Sequence, residues 1–114
     1  MISRRLTLAA APVLTAFAVA VLAVPAPASA ADAAQVFKKK CAACHGQDGQ
    51  PTKVFAKQGV RSFKDADWQK ATDDAQIETS IREGKKGTMM ASFQKQLSDE
   101  EITALVAYIR ELGK

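Results

Sequence analysis

The chain has 114 residues, 47% of them apolar and 25% charged, and carries a net charge of +4 at pH 7. That length holds one small domain and excludes a multidomain assembly. With residues 1–30 set aside as a leader, 84 residues remain carrying 14 basic and 12 acidic side chains, a near-balance that excludes an electrostatic nucleic-acid binder.

In chain order, Met1 to Arg5 is a short basic start, and Val13 to Val24 is an apolar run interrupted only by Thr15. Pro25-Ala26-Pro27 breaks that run, and Ala28-Ser29-Ala30 has the small-x-small pattern that signal peptidase reads. The expected division is therefore a signal peptide over 1–30, cleaved after Ala30, and one domain over 31–114. The alternative is an uncleaved membrane anchor, against which stands the length of the apolar run, short of the roughly twenty residues a span requires.

Asp32 to about Cys44 reads as the first helix, with Asp32 as N-cap candidate and Ala33, Val36, Phe37, Cys41 and Cys44 near one face. Gly46 to Lys64 reads as a loop, and Asp65 to Lys70 as a short helical turn. Asp73 to Glu83 has Asp73 and Gln76 at capping-box spacing, Ile77 and Ile81 one turn apart, and Gly84 as its stop. After a second loop, Lys85 to Gln96, the pattern is clearest over Ser98 to Leu112. Ser98 and Glu101 form a capping box there, and residues 102, 105, 106 and 109 form an apolar stripe at i, i+3, i+4, i+7. No strand alternation competes, so the fold class is all-α. Two long loops in so small a chain imply that they wrap something, and a core this small needs a filler beyond its own side chains.

Both cysteines and the only histidine fall at Cys41, Cys44 and His45. On a helix the positions i, i+3 and i+4 share a face, so two thiols and an imidazole meet one flat object. Cys-x-x-Cys-His at that spacing is the signature of covalent haem attachment: each thiol adds to a vinyl group and the histidine binds iron. A thiol–disulfide oxidoreductase expects a βαβ context, and a structural zinc site wants about four ligands where three are on offer. One haem c per chain is expected, and the macrocycle supplies the missing core. Haem is added outside the cytoplasm to unfolded chain, so Arg4-Arg5 reads as the basic start of a Sec signal and not as a twin-arginine signal. With His45 used, the sixth iron ligand is methionine, lysine, water or nothing. Beyond the leader, methionine occurs only at Met89 and Met90.

From about Ala33 to Leu112 the chain resembles the short bacterial class I c-type cytochromes. The resemblance is carried by Cys-Ala-Ala-Cys-His, by Gly-Thr-Met-Met-Ala-Ser-Phe and by Leu-Ser-Asp-Glu-Glu-Ile with Tyr-Ile-Arg-Glu-Leu. It implies a cytochrome c fold of three to four helices around one covalently attached haem, the N- and C-terminal helices crossing where Ala33, Phe37 and Tyr108 meet. It implies a periplasmic electron carrier, not an enzyme, that passes single electrons between redox partners, either a membrane oxidoreductase complex or a periplasmic enzyme. The alternative is a haem enzyme or a gas or peroxide sensor with an open sixth site. The family's ligand loop usually reads Gly-x-Met-Pro-x-Phe. Counting back from Phe93, which leads directly into the last helix, selects Met90 as the axial ligand and is the preferred reading; counting forward from Gly87 selects Met89 as the alternative. Pro51, closer to His45 than the family pattern expects, is the candidate acceptor for its Nδ1–H, and Trp68 and Arg61 are candidate donors to haem propionates. Lys38, Lys39, Lys40, Lys85 and Lys86 flank the two ligand segments and are the candidate docking surface for an acidic partner. A monomer is expected.

Overall fold

A computed structural model describes residues 7–24 and 29–114. Among the described residues six helices follow in order: α1 (Ala30–Lys40), α2 (Ala42–His45), α3 (Lys53–Lys57), α4 (Ala66–Ala71), α5 (Asp74–Glu83) and α6 (Asp99–Leu112). Among the described residues there is no strand. Residues 7–24 have no regular secondary structure and stand exposed, Phe17 at 93%. No described helix is long and apolar enough to cross a membrane. The basic start over 1–5 and the Pro25-Ala26-Pro27 break fall outside the described residues.

The first helix differs from expectation at both ends. Its N-cap is Ser29, not Asp32. The Ser29 hydroxyl accepts from the Asp32 amide at 3.2 Å, and the Asp32 carboxylate accepts from the Ser29 amide at 3.1 Å. A reciprocal pair of this kind satisfies two otherwise orphaned donors, so the box outcompetes a lone acidic cap three residues later. The Ser29 amide and hydroxyl, both donating to it, hold the Asp32 carboxyl below its usual range. At the other end α1 stops at Lys40, and Cys41 serves as the joint to α2 with φ −116° and ψ −35°. The two capping boxes read from sequence form as expected, Asp73 with Gln76 on α5 and Ser98 with Glu101 on α6.

The core lies where α1 and α5 pack on α6. Phe37 and Ile102 are fully buried, with Ala33 and Leu105 at 1%. Ala33 lets the α1 backbone approach α6, and the Phe37 ring tilts against Tyr108 at 5.2 Å between centroids. This is the terminal-helix packing that the resemblance implied. Within the segment expected to be a loop, α3 forms with no buried residue and no side-chain cap, and its Val54 stands 62% exposed. That is why no stripe announced it.

Polar clamps hold the remaining pieces to this core. Arg110 on α6 pairs with Asp74 at 2.7 Å and donates to the Gln69 carbonyl and Gln69 Oε1, both at 2.8 Å, and to the Thr72 carbonyl. Gln69 Nε2 in turn donates to the carbonyls of Phe63 at 2.7 Å and Ile109 at 3.0 Å. Arg82 bridges Glu78 on its own helix to Asp99 at the start of α6. The α4–α5 corner and the long loop before it are therefore fixed to α6 by directional bonds.

Candidate haem-attachment site

The site begins at the α1–α2 joint. The Cys41 amide donates to the Phe37 carbonyl at 2.9 Å, closing α1, while the Cys41 carbonyl accepts from Cys44 at 3.2 Å and His45 at 3.0 Å. One turn of backbone thus carries both sulfurs and the imidazole, as the i, i+3, i+4 spacing requires. Both thiols are free and half-buried. Burial pushes the Cys41 thiol up to about 11, so it is no low-pKa thiolate of the kind that drives disulfide exchange. Burial also lowers His45 from its ordinary value, favouring the neutral imidazole that binds metals.

The His45 ring lies parallel to Phe63, 4.7 Å between centroids with 15° between planes. Its Nδ1 is buried and has no hydrogen-bond partner among the described residues. The expected bond from Nδ1 to the Pro51 carbonyl is therefore absent. Pro51 instead lines an open groove of about 340 Å³ together with Val60, Arg61 and Asp65. Arg61 stands on that groove 60% exposed and paired with Asp65 at 2.8 Å, and it holds the Asp65 carboxyl below its usual range. Trp68 does not line the groove. It is half-buried, with its ring tilted on Phe63 at 5.0 Å.

The methionine segment is folded back on the end of α5. Lys85 N–H donates to the Met90 carbonyl at 2.9 Å, and Phe93 N–H to the Ile81 carbonyl at 2.9 Å. Thr88 braces the turn: its hydroxyl donates to the Lys85 carbonyl at 2.7 Å and accepts from the Met90 amide at 3.2 Å. The Ser92 hydroxyl donates to the Arg82 carbonyl. In this frame Met90 is half-buried and packs against the core, whereas Met89 is 73% exposed. Lys40 Nζ reaches Gln96 Oε1 at 3.3 Å, which joins the end of α1 to the end of this loop. Lys38, Lys39, Lys85 and Lys86 are exposed around these segments.

A free pair of thiols one turn apart, a desolvated neutral imidazole beside them and a second soft ligand on a braced loop are the donor set that a covalently held haem needs. The residues present therefore fit the group. The sequence reads Phe63 as a core candidate but not as the ring against His45, and it does not mark Gln69 or Thr88. Thr88 was legible as a turn-bracing hydroxyl next to Gly87, but nothing local connects Phe63 with a histidine eighteen positions earlier.

The family described as cytochrome c oxidase, cbb3-type, subunit III matches residues 28–109. A curated relative, the cbb3-type cytochrome c oxidase subunit CcoP of Azospirillum sp. (strain B510), is 36% identical over 92 residues, covering 74% of this chain and 31% of that protein. The subunit FixP of Azorhizobium caulinodans is 34% identical over 80 residues, covering 70% of this chain and 26% of the relative. The chain thus spans about a third or less of the length of these relatives. Among solved structures, the c-type cytochrome KustC0563 is 39% identical with a TM-score of 0.66, covering 72% of this chain and 98% of the other. The fold is accordingly that of the c-type cytochromes, and the cofactor is covalently bound haem c.

Proposed function

The chain belongs to the family of cytochrome c oxidase, cbb3-type, subunit III, and on that premise we propose that it carries single electrons through one haem held by Cys41, Cys44, His45 and Met90. Bound haem supplies an iron that alternates between ferric and ferrous states. Cys41 and Cys44 anchor the group by thioether bonds, so the site keeps its cofactor through every redox cycle. His45 offers a neutral nitrogen, and Met90 offers a neutral, soft sulfur that favours the reduced metal and raises the potential. The hydrogen bonds around Thr88 and Phe93 hold the methionine loop in one geometry, which limits the rearrangement that each electron transfer would otherwise require. The observation that carries this reading is the single backbone turn at Cys41–His45 bearing two free thiols and a desolvated imidazole.

The same reading places the domain outside the cytoplasm. Residues 1–30 act as a Sec signal peptide removed after Ala30, leaving 31–114 as the working domain. The partners are redox proteins. The relatives are named as subunits of a cytochrome c oxidase, which supports an oxidoreductase complex over a free enzyme as the partner, with the lysines at 38–40, 85 and 86 as the contact face. Arg61, on the groove it shares with Pro51, is the candidate neighbour of a haem propionate, and Trp68 a packing residue behind Phe63.

Optical spectroscopy tests the assignment. A haemochrome spectrum that survives acid–acetone extraction is expected, as is a near-infrared methionine–iron band in the ferric protein. Met90→Ala should abolish that band and Met89→Ala should keep it; the reverse pattern reassigns the ligand. A high-spin ferric spectrum that binds cyanide freely would instead establish an open sixth site, and with it an enzyme or sensor.

A further inference from the structure

A histidine that binds a metal normally donates its second ring nitrogen to a carbonyl or carboxylate, which fixes both its tautomer and its plane. His45 has no such partner: Nδ1 is buried and unbonded, and Pro51 does not supply an acceptor. The His45 ring has an aromatic face instead. Phe63 lies parallel to it at 4.7 Å, and rotation of the imidazole about its Cβ–Cγ bond would drive a ring edge into that face.

Phe63 is itself immobilised from three directions. It is 7% exposed, with Phe37 at 6.3 Å and Trp68 at 5.0 Å between ring centroids. Its amide donates to the Gly49 carbonyl at 2.9 Å, and its carbonyl accepts from Gln69 Nε2 at 2.7 Å. Gly49 approaches so closely that a Cβ there would stand 3.1 Å from Phe63 Cβ and 3.1 Å from Leu112 Cδ1. Gln69 is held in turn by Arg110 of α6. A chain of contacts thus runs from the last helix, through an amide side chain, to the ring that faces His45.

We propose that Phe63 is the positioning residue that sets the plane of the His45 imidazole in the haem-bound protein, filling by stacking the role that a hydrogen-bonded carbonyl ordinarily fills. Gln69 and Arg110 hold it in that position. The proposal rests on His45 being the axial ligand.

The test uses purified holoprotein, with ferric electron paramagnetic resonance and the paramagnetically shifted haem-methyl proton resonances as readouts, since both report the orientation of an axial imidazole. Phe63→Leu should keep covalent haem but redistribute the methyl shifts and broaden the g-value envelope. Phe63→Tyr, which retains the ring, should restore the wild-type pattern. Ile77→Ala, which alters a buried side chain on α5 outside the contacts that hold Phe63, should lower the denaturation midpoint and leave the pattern intact. A wild-type pattern in Phe63→Leu alongside a lowered midpoint would reduce Phe63 to packing and overturn the proposal. Should that variant yield no holoprotein, Gln69→Ala decides: a redistributed pattern supports the chain of contacts and an unchanged one overturns it. Loss of the axial-ligand premise is separately visible, because wild-type protein would then lack shifted resonances from an isotopically labelled His45, and the proposal would fall with it.

Discussion

Gly84 shows how little room the methionine loop leaves. It ends α5 with φ +72°, and a Cβ there would stand 2.5 Å from the Met90 carbonyl oxygen and 2.8 Å from the Ala91 carbonyl carbon. Both obstacles are backbone, so no rotamer relieves them. Gly84→Ala is expected to cost about 2 kcal/mol or more, combining left-handed strain with the displaced loop. The same displacement moves Met90, so the near-infrared methionine band should weaken in step with the denaturation midpoint. A lowered midpoint with an intact band would show that the loop yields elsewhere. Thr88→Val removes two hydrogen bonds at nearly constant shape and should cost about 1 kcal/mol, with faster displacement of the methionine by added cyanide. The count back to Phe93 is what proposes Met90 over Met89, and the bond from Phe93 N–H to the Ile81 carbonyl fixes the end of the loop from which that count runs. The Pro51 bond was not safely readable. A carbonyl's direction depends on loop dihedrals that composition does not encode.

Among the helices, α5 and α6 were legible to within a residue, because cap, stripe and stop act locally and agree. α3 was not, since it has neither cap bond nor buried face, and α1 was misplaced by three residues because a capping box spans the boundary of the expected leader. That overlap has a consequence for processing. Cleavage after Ala30 removes Ser29 and both bonds of the box, leaving a new positive terminus beside the positive end of the helix dipole. A holoprotein beginning at Ala31 should be less stable than one retaining Ser29 by about 1 kcal/mol, read as a shift in guanidinium midpoint; equal midpoints would show that α1 is secured by Phe37 alone. The start of α4 has a different signature. The Asp65 carboxyl, lowered chiefly by its bond from Arg61 and then by the Asp67 and Trp68 amides, contributes stability that is present above its unfolded value near 3.8. That contribution is lost as pH falls through the lower folded value. Asp65→Asn should therefore flatten the acid limb of the stability–pH curve, and an unchanged limb would mean that the pair is too well solvated to matter.

At the scale of the molecule, the buried side chains are concentrated on three helices. Phe37, Ile102 and Leu105 are the largest fully buried side chains, and the core sits almost wholly among α1, α5 and α6. The stretch from Gly46 to Lys64 contributes Gly49 and Phe63 as its buried residues, and the stretch from Lys85 to Leu97 contributes only Leu97. Each is instead tied down by backbone bonds and by the Gln69–Arg110 and Arg82 clamps, which are directional but individually worth about 1 kcal/mol. The haem is what would give these loops a surface to bury against. That need was legible in the sequence as a shortage of apolar residues, although the clamps that share the work were not. A chain carrying Cys41→Ser and Cys44→Ser, expressed without attached haem, should keep part of its helical far-ultraviolet signal from α1, α5 and α6. It should lose its cooperative thermal transition and expose apolar surface to a hydrophobic dye. Arg110→Met in the holoprotein should act on the same loops from the other side, costing about 2 kcal/mol as the Gln69 and Thr72 carbonyls lose their donor. If the haem-free double variant instead melts cooperatively near the holoprotein's temperature, the polar clamps and the three-helix core suffice. The cofactor would then be a guest in a finished fold and not part of its interior.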